Sequence, residues 1–192
     1  ANPATPPIPG LKDTPYWTST EALTSDRIPE RLVVIGSSVV AVELAQAFAR
    51  FGSRVTLVEM APRLLLREDE DVSAMVEQRF AAEGIRVMTG HRAKQFVSEN
   101  GERTLIAEHE GSDIRIGFDA VLVAVGRAAN LTGYGLEELG IPTGKTVETN
   151  EFLQTRFPNI YAAGDVAGPY QFTHTAAHQA WYAAVNALFD PF

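Results

Sequence analysis

The segment 31–59, RLVVIGSSVVAVELAQAFARFGSRVTLVE, constrains the fold most, because two apolar runs flank one helical pattern. Residues 31–36 and 54–59 are short apolar runs rich in β-branched side chains, which predicts two buried strands. The residues between them have helical periodicity and end at Gly52, a residue common at helix C-termini. Strand, helix and strand in this order predict a βαβ unit with parallel strands.

The turn between the first strand and the helix is similar to the dinucleotide-binding fingerprint G-x-G-x-x-G, with two substitutions. Gly36 occupies the first glycine position, whereas Ser38 and Ala41 occupy the second and third. Ser38 is small enough for the backbone to approach a pyrophosphate at the helix N-terminus, and its hydroxyl could donate to a phosphate oxygen. Ala41 still allows close packing of helix on strand. We therefore expect the nucleotide to contact five consecutive residues: Gly36, Ser37, Ser38, Val39 and Val40.

An acidic residue at the end of the second strand bears on the choice of coenzyme. Glu59 follows Gly36 at the separation of about 20 residues that is typical of the ribose-binding acid. Its carboxylate would accept hydrogen bonds from the adenosine ribose and repel a 2′-phosphate, which favours NAD(H) over NADP(H). We place Met60 in the same part of the site. Arg63 and Arg67 follow closely and argue in the opposite direction.

The remainder of the first two thirds of the chain predicts an α/β fold. Residues 68–84 predict a second helix, with acids in its first turn, and residues 85–90 predict a third parallel strand. Short alternating segments split by ENGE and EGSD then predict a small antiparallel β-meander. Residues 120–130 predict a buried strand and its exit loop. The expected fold is a Rossmann-like domain with a parallel sheet plus the meander.

The last third of the chain predicts fewer regular elements. We expect a short helix at 134–140, then two short strands, of which the second covers 159–165. Residues 174–189 predict a longer helix, with one side formed by Trp181, Val185 and Leu188. Because one strand and one helix cannot bury themselves, this part is expected to pack against something larger.

Composition excludes several classes of function. A net charge of −8 without a basic stripe argues against nucleic acids and anionic membranes as partners. The absence of cysteine excludes disulfides and thiolate chemistry within this chain. His174 and His178 would share one helix face but have no acidic third ligand, so we expect no metal site. No signal peptide or membrane-spanning run is evident, and we expect a cytoplasmic protein.

Two further motifs carry a family resemblance. Thr155 followed by IYAAGD (160–165) resembles the second FAD-binding motif of the pyridine nucleotide–disulfide oxidoreductases. VAVGRAAN (123–130) resembles the V-G-R-x-P-N segment of that family, with Ala129 in place of proline. Together with the nucleotide turn, the motifs match the family in order and spacing over essentially the whole chain. The serine-substituted turn and residues 6–23 are most similar to the mercuric reductase branch, whereas Glu59 resembles NAD-using relatives.

The resemblance implies roles for further residues. In such FAD-dependent enzymes NAD(P)H passes hydride to the flavin, which reduces a cysteine pair and then the final acceptor, Hg(II) in the mercury branch. Glu43 would face the nicotinamide carboxamide, and Gly126 and Arg127 would line the nicotinamide pocket. Asp165 would bond a ribityl hydroxyl of FAD, and the helix start near His174 would direct N–H groups at the flavin. The same region supplies three more expected FAD contacts: Gly164, Phe172 and Thr173.

The resemblance also implies a central fragment of a longer parent. Residues 1–10 would be a linker from a first FAD segment, 11–130 the NAD(P)-binding domain, and 131–192 a return segment of the FAD domain. The redox cysteines, the other FAD segment and a dimerisation domain would lie elsewhere in a homodimeric parent, so we expect the chain alone to be inactive. Two alternatives remain open: a dihydrolipoamide dehydrogenase-like or other disulfide reductase that uses NADH, and a non-catalytic nucleotide-binding module.

Overall fold

The computed structural model describes residues 1–189, which form two compact units. The larger unit is Pro3–Gly126, and the smaller unit contains Ala1–Asn2 and the chain from Arg127 onward. A two-residue strand, β1 (Asn2–Pro3), opens the chain. Among residues 1–189, no helix combines the length and the apolarity needed to cross a membrane.

The larger unit contains a five-stranded parallel sheet and a three-stranded antiparallel sheet. In chain order its elements are β2 (Tyr16–Trp17), α1 (Ser19–Leu23), β3 (Arg31–Ile35), α2 (Val39–Arg50), β4 (Arg54–Val58), α3 (Glu70–Ala82), β5 (Arg86–Met88), β6 (Arg92–Glu99), β7 (Glu102–His109), β8 (Ser112–Phe118) and β9 (Ala120–Val123). The parallel sheet has the order β2-β9-β3-β4-β5, and the antiparallel sheet has the order β6-β7-β8. The predicted α/β fold class, with its parallel sheet and meander, is therefore confirmed.

The central strand β3 is buried on both faces, which explains its continuous apolar sequence. Leu32 and Val34 belong to one core, together with Phe48 of α2 and Phe80 of α3. The alternate residues Val33 and Ile35 belong to a second core, formed with the antiparallel sheet. Because successive side chains of a strand point to opposite faces, helices cover one side of the parallel sheet and the meander covers the other.

The smaller unit contains fewer regular elements than the sequence predicts. Its elements are β10 (Arg127–Ala128), a 3₁₀ helix (Gly164–Val166) and α4 (Thr173–Phe189). The predicted short helix at 134–140 is wrong, since these residues form turns in which Gly135 has φ +92°. A positive φ is incompatible with an α-helix of L-residues. The two predicted strands are also wrong, because only isolated bridges form, at Thr143–Val147 and Gln154–Tyr161.

Helix α4 confirms the predicted helix at 174–189. Trp181 and Leu188, which share one side of the predicted helix, are 60% and 75% exposed. The buried residues of α4 are Ala183 and Asn186, and the Asn186 side chain donates to the carbonyl of Phe152. Apolar periodicity therefore identified the helix, but the helix packs through small and polar side chains within this unit.

Candidate functional site

The turn after β3 admits only glycine at its first position. Gly36 has φ +98°, and a β-carbon there would lie 2.7 Å from the carbonyl oxygen of Ala124. Its N–H donates to the carbonyl of Val58 at 2.9 Å, which ties the turn to the neighbouring strand β4. The chain can therefore leave β3 and enter α2 through this tight turn only where the residue lacks a side chain.

Ser38 is the N-cap of helix α2 and joins the turn to β9. Its Oγ accepts a hydrogen bond from the backbone N–H of Ala41 at 3.3 Å and donates to the carbonyl of Ala124 at 2.8 Å. The hydroxyl has one proton, and in this structure that proton is donated to Ala124. It is therefore not available to a phosphate oxygen, although the sequence suggested that it could be. Ser38 thus supports the turn from within.

The first turn of α2 is the open part of the site. Ser37 is buried, whereas the side chains of Val39 and Val40 are 53% and 37% exposed. The backbone N–H groups at the start of a helix have no acceptor within the helix and concentrate positive potential there. This turn therefore offers N–H donors and a partial positive charge to an anionic group.

Glu59 lies beside the glycine turn because of the strand register. Ile35 of β3 is paired with Val58 of β4, so the residues that follow them, Gly36 and Glu59, both lie at the carboxyl edge of the sheet. The Glu59 carboxylate is half-buried, and its Oε1 accepts from the N–H of Ala61 at 2.7 Å. Oε2 accepts no hydrogen bond from the residues that the structure describes, which leaves it free to accept from a ribose.

Hydrogen bonds fix the backbone of Glu59, and the residues that follow it differ in exposure and in hydrogen bonding. The N–H of Glu59 donates to Met88, and its carbonyl accepts from the N–H of His91, both at 2.9 Å. Met60 follows with its side chain 70% exposed. The Arg63 guanidinium is bonded to three backbone carbonyls of its own loop and to Ser73 of α3, whereas Arg67 is exposed.

Gly126 and Glu43 complete the predicted residues of the larger unit. Val123 of β9 is paired with Ile35, so Gly126, with φ +135°, follows β9 at the same carboxyl edge. Glu43 is exposed on α2, so its carboxylate stays in contact with solvent in this structure. Its role toward the nicotinamide stays a prediction that rests on the family resemblance.

In the smaller unit, predicted residues line one cavity of about 720 Å³. Arg127, Gly164, Asp165 and Thr173 are among its lining residues. Asp165 lies 4.0 Å from Arg127, measured from Oδ2 to Nε. The rings of Phe172 and His174 stack on each other at 5.3 Å but do not belong to the lining.

Gln179 is a residue of this unit that the sequence interpretation missed. Its side-chain oxygen accepts from the N–H of Gly164 at 2.7 Å, and its amide nitrogen donates to Gly168 at 3.0 Å. These bonds fix the Gly164–Val166 turn against α4. Gln179 lies about one and a half helical turns beyond His174, the last of the expected FAD-contacting residues. Nothing in its spacing distinguishes it from a surface glutamine.

A glycine turn that leads into a helix, with an acid after the adjacent parallel strand, defines a dinucleotide-binding α/β domain. The family model "Pyridine nucleotide-disulphide oxidoreductase" matches residues 1–180, and the chain belongs to this family. No group of three or more His, Asp or Glu side chains able to hold a metal occurs within residues 1–189.

Known proteins of this family are similar over nearly the whole chain. It is 48% identical over 190 residues to a mercuric reductase of Acidithiobacillus ferrooxidans, covering 98% of this chain and 34% of that protein. A dihydrolipoyl dehydrogenase of Mycobacterium leprae (strain TN) is 34% identical over 181 residues, covering 92% of this chain and 38% of that protein. The chain thus spans about a third of the length of these curated relatives.

Solved structures agree with the fold. The HOCl-induced flavoprotein disulfide reductase RclA from Escherichia coli superposes with a TM-score of 0.87 at 28% identity, covering 98% of this chain and 43% of that chain. The predicted resemblance to the pyridine nucleotide–disulfide oxidoreductases, and to mercuric reductases within them, is confirmed.

Proposed function

We propose that the larger unit binds a nicotinamide dinucleotide at the carboxyl edge of its parallel sheet. The observation that carries this proposal is the pairing of Ile35 with Val58, which brings Gly36 and Glu59 to adjacent strand ends. The pyrophosphate would lie on the open N-terminus of α2, and the adenosine ribose would bond the free oxygen of Glu59. Val39 and Val40 would form the apolar border of this site.

We propose that NADH binds more tightly than NADPH. The Glu59 carboxylate would repel a 2′-phosphate. The Arg63 guanidinium, the nearest candidate cation in the sequence, already bonds three carbonyls of its own loop and Ser73 of α3. Arg67 is exposed and is the remaining cation in this loop that could favour NADPH.

We further propose that the chain serves in a FAD-dependent oxidoreductase. The cavity of the smaller unit suits a polar ligand, because it contains the carboxylate of Asp165 and the N-terminal residue of the 17-residue helix α4, Thr173. FAD would supply the hydride acceptor there. Asp165 would accept a hydrogen bond from a ribityl hydroxyl, and the first turn of α4, with Thr173 and His174, would offer N–H donors to the flavin ring.

The final acceptor we propose is Hg(II), reduced to Hg(0) by a cysteine pair outside this chain. One hydride carries the two electrons that this reduction consumes. The identity of 48% to a mercuric reductase supports this choice. A dihydrolipoamide dehydrogenase-like reductase is the second candidate, because Glu59 favours NADH and a dihydrolipoyl dehydrogenase is 34% identical. We also propose that the parent protein is a homodimer and is located in the cytoplasm.

Calorimetric titration of the 192-residue chain with NADH and NADPH tests the nucleotide site. We expect tighter binding of NADH, and we expect Glu59→Arg to reverse the order of the two affinities. Asp26→Arg is the control, because it introduces the same type of charge change in the loop that precedes β3, at the opposite end of the strands. Failure to bind either coenzyme would contradict the proposal, and tighter NADPH binding by the wild type would assign the selectivity to Arg67.

A further inference from the structure

Residues 60–69, which we call the Arg63 loop, connect β4 to α3 and are organised around one guanidinium. Arg63 Nη1 donates to the carbonyl of Glu68 at 2.9 Å and to Ser73 Oγ at 2.6 Å, with a longer bond of 3.3 Å to the carbonyl of Leu65. Nη2 donates to the carbonyl of Leu66 at 3.0 Å. The planar guanidinium of arginine donates from two separate nitrogens to acceptors that lie apart, whereas lysine has a single nitrogen, whose three donors start from one point.

Helix α3 holds the Arg63 loop through the side chain of Ser73. Ser73, which is buried in the first part of α3, accepts the bond from Arg63 and donates to the carbonyl of Leu64 at 2.6 Å. The Leu64 side chain is fully buried in the core between the sheet and its helices. The guanidinium therefore connects the loop to a part of the molecule that cannot move without opening the core.

The Arg63 loop also contacts the nucleotide turn directly. The N–H of Leu65 donates to the carbonyl of Ser37 at 3.3 Å, and Leu65 has φ +48°. A leucine in the left-handed region is strained, and such residues persist only where the surroundings hold them. Arg63 bonds the carbonyl of the same residue, so it holds the strained backbone from one side while Ser37 holds it from the other.

We propose that Arg63 is a positioning residue for coenzyme binding. Its guanidinium shapes the loop, the loop places Leu65 against Ser37, and this contact fixes the turn whose N–H groups would receive the pyrophosphate. Arg63 makes no contact with the coenzyme itself. This inference rests on the proposed nucleotide function and adds to it the residue that connects the end of β4 with the turn after β3.

Arg63→Lys and Arg63→Ala distinguish positioning from a direct ionic contact. We expect both variants to weaken NADH binding by about tenfold, because lysine keeps the charge but its one nitrogen cannot replace both Nη1 and Nη2, which bond acceptors at different places in the loop. Retention of wild-type affinity in Arg63→Lys, with loss in Arg63→Ala, would overturn the inference and indicate a charge contact with the coenzyme. Arg79→Lys is the matched control, since Arg79 lies on the exposed side of α3, forms an ion pair with Glu83, and leaves the loop intact.

Amide hydrogen exchange provides a second test that does not depend on coenzyme. In both Arg63 variants the Leu65 amide should exchange at least tenfold faster, while the amide of Val34 in the central strand keeps its wild-type rate. Unchanged exchange at Leu65 would contradict the positioning role. Equal acceleration at Val34 would mean that Arg63 serves general stability, which also contradicts it. A wild-type chain that binds neither coenzyme contradicts the proposed function, whereas equal NADH binding by wild type and variants contradicts only this inference.

Discussion

The hydroxyl of Ser38 donates a hydrogen bond to the carbonyl oxygen of Ala124 at 2.8 Å, and it thereby fastens the start of α2 to the end of β9. A glycine, which is usual at this position in dinucleotide-binding turns, cannot form this bond. Where a glycine would leave the backbone of the turn more freedom, Ser38 connects the turn after β3 to the end of the neighbouring strand β9.

Replacing Ser38 by glycine is expected to lower stability and to preserve coenzyme binding. The variant loses the N-cap bond to Ala41 and the bond to Ala124, which together should cost about 1–2 kcal/mol in the free energy of unfolding. Urea denaturation measures this loss. Calorimetry should give an NADH affinity close to that of wild type, and a large loss of affinity would mean that the hydroxyl contacts the phosphate after all.

Gly36→Ala and Gly52→Ala are expected to differ sharply although both glycines have similar backbone angles. Their φ values are +98° and +104°, but a β-carbon at Gly36 meets Ala124, whereas one at Gly52 has no neighbour within 4 Å among the described residues. Gly52→Ala should cost about 1 kcal/mol from backbone strain alone. Gly36→Ala should cost about 3 kcal/mol or more, because the clash adds to that strain.

Thermal and urea unfolding of both glycine variants check this prediction. Equal destabilisation would indicate that the end of β9 moves aside to accept a side chain. In that case Gly36→Ala should also retain coenzyme binding, which the close approach to Ala124 argues against.

Glu83 is expected to make the stability of the larger unit depend on acid pH. The hydrogen bond from Arg50, together with the charge of Arg79, lowers the pKa of Glu83 from its ordinary value of 4.5 to about 2. A carboxyl whose pKa falls on folding stabilises the protein above its unfolded pKa, and this contribution disappears as the pH falls through the folded pKa. The urea midpoint should therefore decrease between about pH 5 and pH 2, and less steeply in Glu83→Gln.

Asp119→Asn is expected to destabilise the start of β3. The Asp119 carboxylate accepts from the Arg31 guanidinium and from the Arg31 backbone N–H, each at 2.9 Å, and Arg31 holds the pKa of Asp119 below its usual value. Loss of the charge should cost about 1 kcal/mol, since the pair is partly exposed. Glu30→Gln, at the more exposed pair with Arg54, is the control and should change stability by less than about 0.5 kcal/mol. Equal effects of the two substitutions would contradict this prediction.

Much of the larger unit could be predicted from the sequence because its strands are continuous apolar runs. Strand β3 and helix α2 lie within one or two residues of the expected bounds, and the acid after β4 is where the fingerprint predicts it. The helix pattern over 174–189 was equally recoverable. Periodicity identifies these elements because burial on one or two faces selects residue types directly.

The side-chain hydrogen bonds of the two sites could not be predicted, because local sequence patterns carry no information on contacts between distant residues. The acceptor of the Ser38 proton, the loop bonds of Arg63 and the tie between Gln179 and Gly164 all involve side chains that resemble ordinary surface residues in the sequence. The turns around Gly135 mimic a helix pattern because their apolar residues serve a small local core, in which Leu136 is buried.

The strand order has a consequence for the sequence of events during synthesis. β9 lies directly beside β3 in the sheet, yet Ala124 follows Ser38 by 86 residues, after the entire meander. Contacts between such distant positions carry a high loop-closure cost and form late in folding. A nascent chain that has reached Glu59, directly after β4, already contains every residue of the fingerprint, but it lacks the strand that gives the glycine turn its shape. The coenzyme site proposed above is therefore complete only after about two thirds of these 192 residues have been made.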